Sequence, residues 1–202
     1  MKNYEVIIFD LGGVILNLDY TLTTKAFQSL GLKNFDEIYA QANQTSLFDD
    51  LEIGKISAQF FINSLLPYLP QGVTANKVVH AWNAMILDFP QERLDLLVEL
   101  RKTKKVFLLS NTNEIHIQAV NRSLANTTNQ KIESFFDKVY LSHEIRLRKP
   151  NVEIFEFVCK DQNITPSTAL FIDDTIRHVE GAKRIGLNAI HLENKTILDL
   201  IY

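Results

Sequence analysis

One cysteine in 202 residues, Cys159, rules out an internal disulfide framework and any multi-cysteine zinc site. Such a chain suits the reducing cytoplasm better than an oxidising compartment. The sequence also lacks a basic excess: 21 Lys and Arg against 24 Asp and Glu leave a net charge of −3. Its densest basic stretch is the short run from Arg101 to Lys105, too little for the electrostatic footprint of a nucleic-acid binder. No hydrophobic run approaches the roughly 20 residues of a membrane span. The apolar opening from Val6 to Leu18 is interrupted by Asp10 and Asn17, and no small-residue cleavage pattern follows, so no signal peptide is expected. With 46% hydrophobic and 22% charged residues, the chain reads as a soluble globular protein whose partner is a small molecule.

The order of the apolar segments predicts the fold class. Tyr4 to Phe9 is a short apolar run that ends on Asp10 and meets Gly12 and Gly13, the pattern of a buried parallel strand and its turn. Similar runs follow at Val106 to Leu109, Lys138 to Leu141 and Ala169 to Ile172, with a fifth at Asn188 to Leu192. Helical spacing fills the intervals from Pro90 to Lys102, Ile115 to Leu124, Val152 to Gln162 and Ile176 to Ile185. Strand and helix therefore alternate as in an open, doubly wound α/β sheet of the Rossmann-like kind. Between about Asp19 and Asp88 the apolar residues recur only at helical spacing, among them Leu22, Phe27 and Leu30, then Phe60, Phe61 and Leu65, then Val78, Val79, Trp82 and Ile86. Pro67, Pro70 and Gly72 break this stretch into two hairpin-like pairs. The expected division is a core made of residues 1–18 and 89–202, with a helical insert over residues 19–88.

Ligands of open α/β sheets bind beyond the carboxyl ends of the strands. The polar residues placed there are Asp10, then Ser110, Asn111, Thr112 and Asn113, then Arg148, Lys149 and Pro150, then Asp173 and Asp174. Singly, each has an ordinary explanation: an Asp after a strand turns the chain, Ser110 or Asn111 caps a helix, and a loop lysine is solvated. As a set they converge on one crevice, where carboxylates repel unless a cation joins them.

That set, in this order, resembles the four motifs of the haloacid dehalogenase (HAD) superfamily: Phe9 to Val14, Leu109 to Thr112, Lys149 with Pro150, and Phe171 to Asp174. Ser110 to Asn113, Tyr140 to Ser142, Arg148 to Pro150 and Glu180 to Ala182 are also similar to the bacterial α-D-glucose-1-phosphate phosphatase group, as is Glu52 to Ser57 within the insert. The resemblance implies a HAD-type sheet with an inserted helical cap and a phosphatase that uses Mg²⁺. It implies that Asp10 attacks phosphorus and also ligates the metal, with the Gly12 carbonyl and Asp174 as further ligands and Asp173 beside them. Ser110, Asn111 and Lys149 would hold the phosphoryl group, and Lys149 would also neutralise Asp10. The substrate class implied is a small phosphorylated metabolite, in particular a sugar phosphate.

One position departs from the pattern. Many HAD phosphatases carry a second aspartate two residues after the nucleophile as acid and base; here that position is Gly12. The missing group is worth about 10²–10⁴ in rate, and its absence should favour good leaving groups such as hexose 1-phosphates. His178 is a candidate substitute, although a packing or capping histidine is the simpler reading. Asp49, Asp50 and Glu52 read as a solvated acidic face, Trp82 as insert core, and Cys159, beside Phe155 and Val158, as a small buried hydrophobe. Two other functions compete with the phosphatase. A 2-haloacid dehalogenase also lacks the second aspartate but typically has Ser-Asn where this chain has Asp173 and Asp174; a catalytically silent binding protein has no need of Asp10 and Lys149.

Overall fold

The computed structural model describes residues 1, 3–32 and 46–200. Five parallel strands form one sheet in the order β3-β2-β1-β4-β5, with β1 Val6–Phe9, β2 Lys105–Ser110, β3 Lys138–Leu141, β4 Ala169–Asp173 and β5 Asn188–His191. β1 is central because all four of its residues are buried apolar groups, a composition only a strand covered on both faces can carry. The chain leaves β1 for β2 and β3 on one side and returns to β4 on the other. The crevice where the winding reverses lies beyond the end of β1.

Alternation along the strands divides the core in two. Ile7, Phe9, Val106, Leu108, Leu170 and Ile172 point to one face, where Leu94 and Leu97 of one helix and Val120 and Leu124 of another cover them. Val6, Ile8, Phe107, Leu109 and Phe171 point to the opposite face, under Ile154, Phe155, Val158 and Ala182. Each such side chain, taken out of water, contributes about 1.5–3 kcal/mol, so a one-residue slip of β1 would exchange both faces at once.

Among the described residues the helices are α1 Tyr20–Ser29, α2 Leu47–Glu52, α3 Ala58–Leu65, α4 Ala75–Asn83, α5 Gln91–Leu100, α6 Glu114–Thr127, α7 Ser142–Ile145, α8 Val152–Asp161 and α9 Ile176–Arg184. Polar caps set several starts: Asp19 accepts from Thr21 N (2.9 Å), Ser57 from Phe60 N (3.2 Å), Thr74 from Lys77 N (3.4 Å), and Asn113 from Ile115 N and His116 N. Helices α1 to α4 form the insert between β1 and α5. They share a separate cluster built on Phe27, Phe48, Phe61, Leu65, Val78 and Trp82, to which Ile115 of α6 also belongs. The expected break at Pro67, Pro70 and Gly72 is a 3₁₀ turn over Leu66–Tyr68, followed by Gly72 at φ +92°. The part of the insert at 33–45 lies outside the described residues.

Candidate active site

The register brings the polar strand ends to one level. Phe9 pairs with Leu108 on one side and Ile172 on the other, and the ladder continues one step further through Asp10 N donating to Ile172 O at 2.9 Å. Asp10 and Asp173 are thereby held side by side at the mouth of the sheet. Lys149, fully buried, reaches between them: its Nζ lies 2.8 Å from Asp10 Oδ1 and 2.7 Å from Asp173 Oδ2, and 5.4 Å from the centroid of the Phe171 ring.

The electrostatics of this trio follow from burial. Desolvation pushes the Asp10 carboxyl up to about 7; Lys149 opposes the shift and the charges of Asp173 and Asp174 add to it. Asp173 feels the same burial, but Lys149 and His178 outweigh it and hold its carboxyl down at about 2. Burial would lower Lys149, yet the two carboxylates keep its ammonium above the ordinary lysine range. Asp10 and Lys149 thus respond oppositely to one contact. The ordering that follows is physical: Asp173 and Lys149 form the settled ion pair, and Asp10 is the carboxylate whose charge is least favoured.

Asp173 is fully committed. Its Oδ1 accepts from Thr175 N at 2.8 Å and lies 3.0 Å from His178 Nδ1, while its Oδ2 faces Lys149. His178 is therefore an orienting partner of Asp173. Asp174 is less constrained; burial and then the charge of Asp173 push its carboxyl up, and Thr175 Oγ1 donates to it at 3.3 Å. Single oxygens of Asp10, Asp173 and Asp174 can be chosen within 4.8 Å of one another. Three ionised carboxylates against one ammonium leave a net charge of −2, which a divalent cation balances, and an all-oxygen donor set suits Mg²⁺.

Two glycines shape the turn after β1. Gly13 adopts φ +71°, and a Cβ there would fall 2.0 Å from Asp174 Oδ2, so both backbone and space demand glycine. A Cβ on Gly12 would meet Leu18 Cδ1 at 2.4 Å. Where many HAD phosphatases place an acid, this chain has packed the tip of Leu18.

Asn111 lines the cavity and also fixes the loop beside it: Nδ2 donates to Lys149 O and Oδ1 accepts from Lys149 N, each at 2.9 Å. These bonds hold the backbone that carries the buried ammonium and leave the second Nδ2 hydrogen for a ligand. Ser110 is buried, its hydroxyl makes a long 3.4 Å contact to Asn111 O, and it keeps acceptor and donor capacity for a ligand. Ser142 stabilises the same loop, its hydroxyl accepting from Thr112 N and donating to Thr112 O at 2.9 Å. Asn113, not Ser110 or Asn111, caps α6.

Asp49 and Glu52 are not merely solvated: Asp49 pairs with Arg148 Nη1, and Glu52 Oε2 lies 2.9 Å from Arg148 Nη2. The Glu52 contact is an ion pair without hydrogen-bond alignment. Asp50 pairs with Lys55 at the surface. Arg148 adjoins Lys149, so α2 is tied to the loop that delivers the buried lysine. Gly54 supports the same docking, because a Cβ at its φ of +63° would lie 2.2 Å from His143 O. The spacing of the acids predicts a charged helix face; only the fold reveals its cationic partner.

A cavity of about 380 Å³ opens beside this cluster, lined by Gly12, Ser110 and Asn111 and, from the insert, by Tyr20, Glu52 and Trp82.

Sheet order, strand-end chemistry and helical insert together define a hydrolase of one family. The chain belongs to the haloacid dehalogenase-like hydrolases, whose sequence profile matches residues 4–186. It is 34% identical over 188 residues to D-ribitol-5-phosphate phosphatase of Bacteroides thetaiotaomicron, across 93% of this chain and 91% of that protein. The crystal structure of a HAD family enzyme of Bacteroides thetaiotaomicron in complex with magnesium and inorganic phosphate superposes with a TM-score of 0.87 at 33% identity over 94% of each chain. A HAD-like hydrolase from Porphyromonas gingivalis gives 0.83 at 32% identity, over 94% of this chain and 91% of its own.

Proposed function

We propose that this protein is a magnesium-dependent phosphatase of sugar or sugar-alcohol phosphates that works through an aspartyl-phosphate on Asp10. The observation that carries the reading is the buried Asp10–Lys149–Asp173 contact with Asp174 beside it, at the edge of a cavity of about 380 Å³. In this reading residues 1–18 and 89–202 are the catalytic core and residues 19–88 a cap over it. Asp10, Asp174 and the Gly12 carbonyl hold the cation, with Asp173 alongside, and the bound ion offsets phosphate charge and draws Asp10 into its ionised form. The working compartment is the cytoplasm, where the buried thiol of Cys159 needs no partner.

The residues divide the work. One oxygen of Asp10 attacks phosphorus, the ester P–O bond breaks, and the alcohol departs with a proton taken from the site or solvent; water then cleaves the acyl phosphate, returning Asp10 and releasing inorganic phosphate. Lys149 faces the charge on the transferring group from a dry position, where an ammonium is most effective. Ser110 holds a phosphoryl oxygen, and Asn111 and Ser142 keep the loop in place. The leaving-group argument from Gly12 favours a 1-phosphate, whereas the relative from Bacteroides is named for a primary 5-phosphate. Faster release from D-ribitol 5-phosphate than from glucose 1-phosphate would show that cavity contacts outweigh leaving-group quality.

The test is phosphate release from a panel of sugar and polyol phosphates with Mg²⁺, after EDTA, and after Mg²⁺ is restored. Activity should vanish with EDTA and return with the metal. At a Mg²⁺ concentration about 100 times Kd the folded state should gain about 2.7 kcal/mol, raising Tm by about 5–10 °C for a chain of this size. Full activity in EDTA would overturn the metal assignment. Gly13→Ala supplies a second check: the methyl group displaces the Asp174 carboxylate, so the Mg²⁺ concentration for half-maximal activity should rise by about tenfold or more, as read from a metal titration. An unchanged titration would remove Asp174 from the metal site.

A further inference from the structure

One group in the cavity wall, the imidazole of His116, has no part in phosphoryl transfer and keeps one ring nitrogen without a partner among the described residues. His116 of α6 is held from three directions. Its ring stacks on Trp82 at 4.9 Å and 12°, its backbone N–H donates to Asn113 Oδ1 at 3.0 Å, and its Nδ1 lies 2.9 Å from Asn83 Oδ1. Facing a carbonyl oxygen, Nδ1 carries the ring proton, so Nε2 is left as a lone-pair acceptor with no partner among the described residues. Burial pushes this imidazole down to about 4, so it is neutral at physiological pH. Trp82, 7% exposed and also stacked on Phe48 at 5.4 Å, has its indole N–H sealed from the cavity, so it contributes the platform of the stack.

Both residues line the cavity that contains Gly12 and Ser110, and their neighbours there include Leu16, Met85 and Ile86. His116 Nε2 stays open to the solvent of the cavity, and the stack on Trp82 fixes the direction in which it points. A hydroxyl group donates to such an acceptor, while the apolar neighbours suit the C–H edges of a carbon chain.

We propose that His116 is a specificity-determining residue that reads a hydroxyl group of the substrate, its Nε2 accepting from that hydroxyl and the stack on Trp82 aiming the ring. The inference deepens the proposed function and rests on it. It names the substrate as a phosphate ester of a polyhydroxylated chain, selected over esters that carry no hydroxyls.

Binding separates this inference from the phosphatase reading. Titration calorimetry on Asp10→Asn protein in Mg²⁺ buffer would use D-ribitol 5-phosphate and inorganic phosphate as probes, with and without His116→Phe, which keeps the stack on Trp82 but has no acceptor. The Kd for D-ribitol 5-phosphate should rise about tenfold, the worth of one good hydrogen bond, while that for inorganic phosphate changes by less than about twofold. His116→Gln, which restores an acceptor, should recover part of the loss. Nitrogen NMR of the ligand-free protein should find the proton on His116 Nδ1. No binding of D-ribitol 5-phosphate, equal weakening of both probes, no weakening of either, or a proton on Nε2 would each overturn the inference. Binding as expected without phosphate release from the otherwise native protein would overturn the phosphatase reading and leave this one standing.

Discussion

Asp10→Asn should abolish phosphate release, by about 10⁴-fold or more in kcat, while the protein folds as before. The size follows from role: an amide cannot form the acyl phosphate, and removing a nucleophile collapses the whole sequence of steps that depends on it. Retention of the fold follows from the structure. Asp10 is the member of the trio whose charge burial most disfavours, its carboxyl standing at about 7. An asparagine of nearly the same shape removes that desolvated charge and its repulsion from Asp173, while Lys149 keeps Asp173 at 2.7 Å. Stability in EDTA should therefore match or exceed the wild type at pH 8. A rapid-quench assay with labelled substrate should trap a phosphorylated protein from wild type and none from the variant; normal turnover by the variant would exclude Asp10 as nucleophile.

Lys149→Met should be damaging in both respects. The substitution preserves length and apolar contact with Phe171 but leaves Asp10 and Asp173 buried without their cation. Breaking a buried pair in this way costs about 3–5 kcal/mol, and the loss of a preorganised charge at the transferring phosphoryl group should reduce kcat by about 10²–10³-fold. The pH dependence has a definite sign. A carboxyl whose folded pKa lies above its unfolded value favours folding at low pH and loses that contribution as pH rises through the folded pKa. Asp10 already stands at about 7, and without Lys149 both it and Asp173 move upward. In EDTA the stability deficit of the variant should therefore already be present at pH 5, where the Asp173 ion pair is fully formed in the wild type, and grow further towards pH 8. Thermal unfolding at the two pH values measures it, and a deficit larger at pH 5 would mean that Lys149 is not what holds these carboxylates.

Asn111 and Glu52 have partners that their neighbours in the chain do not announce. Asn111 stands in a motif whose other members face the ligand, and nothing in its neighbours shows that its amide is also bound to Lys149 across 38 positions of chain. Glu52 belongs to a helix face with period-matched acids, and its partner Arg148 lies on a loop from the far end of the sequence. The same is true of His116 and Trp82. Helical spacing places Trp82 on an apolar face, which is correct, but the stack on His116 and the unpaired edge of the indole arise only when α4 and α6 meet.

The amino-acid pattern by itself determined the α/β alternation, the helical insert and the set of strand-end acids with Lys149. These are encoded locally: buried parallel strands must be short apolar runs, helices must repeat their apolar residues every three or four positions, and a turn after a strand must be small and polar. Tertiary structure alone decided which polar atoms are spent on the protein and which remain for a ligand. Asp173 and Arg148 are consumed by contacts distant in sequence, while Asp174, Ser110 and the His116 acceptor are left over. The reason is physical: a hydrogen bond or ion pair is a relation between two groups, and at long sequence separation the second group is supplied only by the packing of the sheet and its insert.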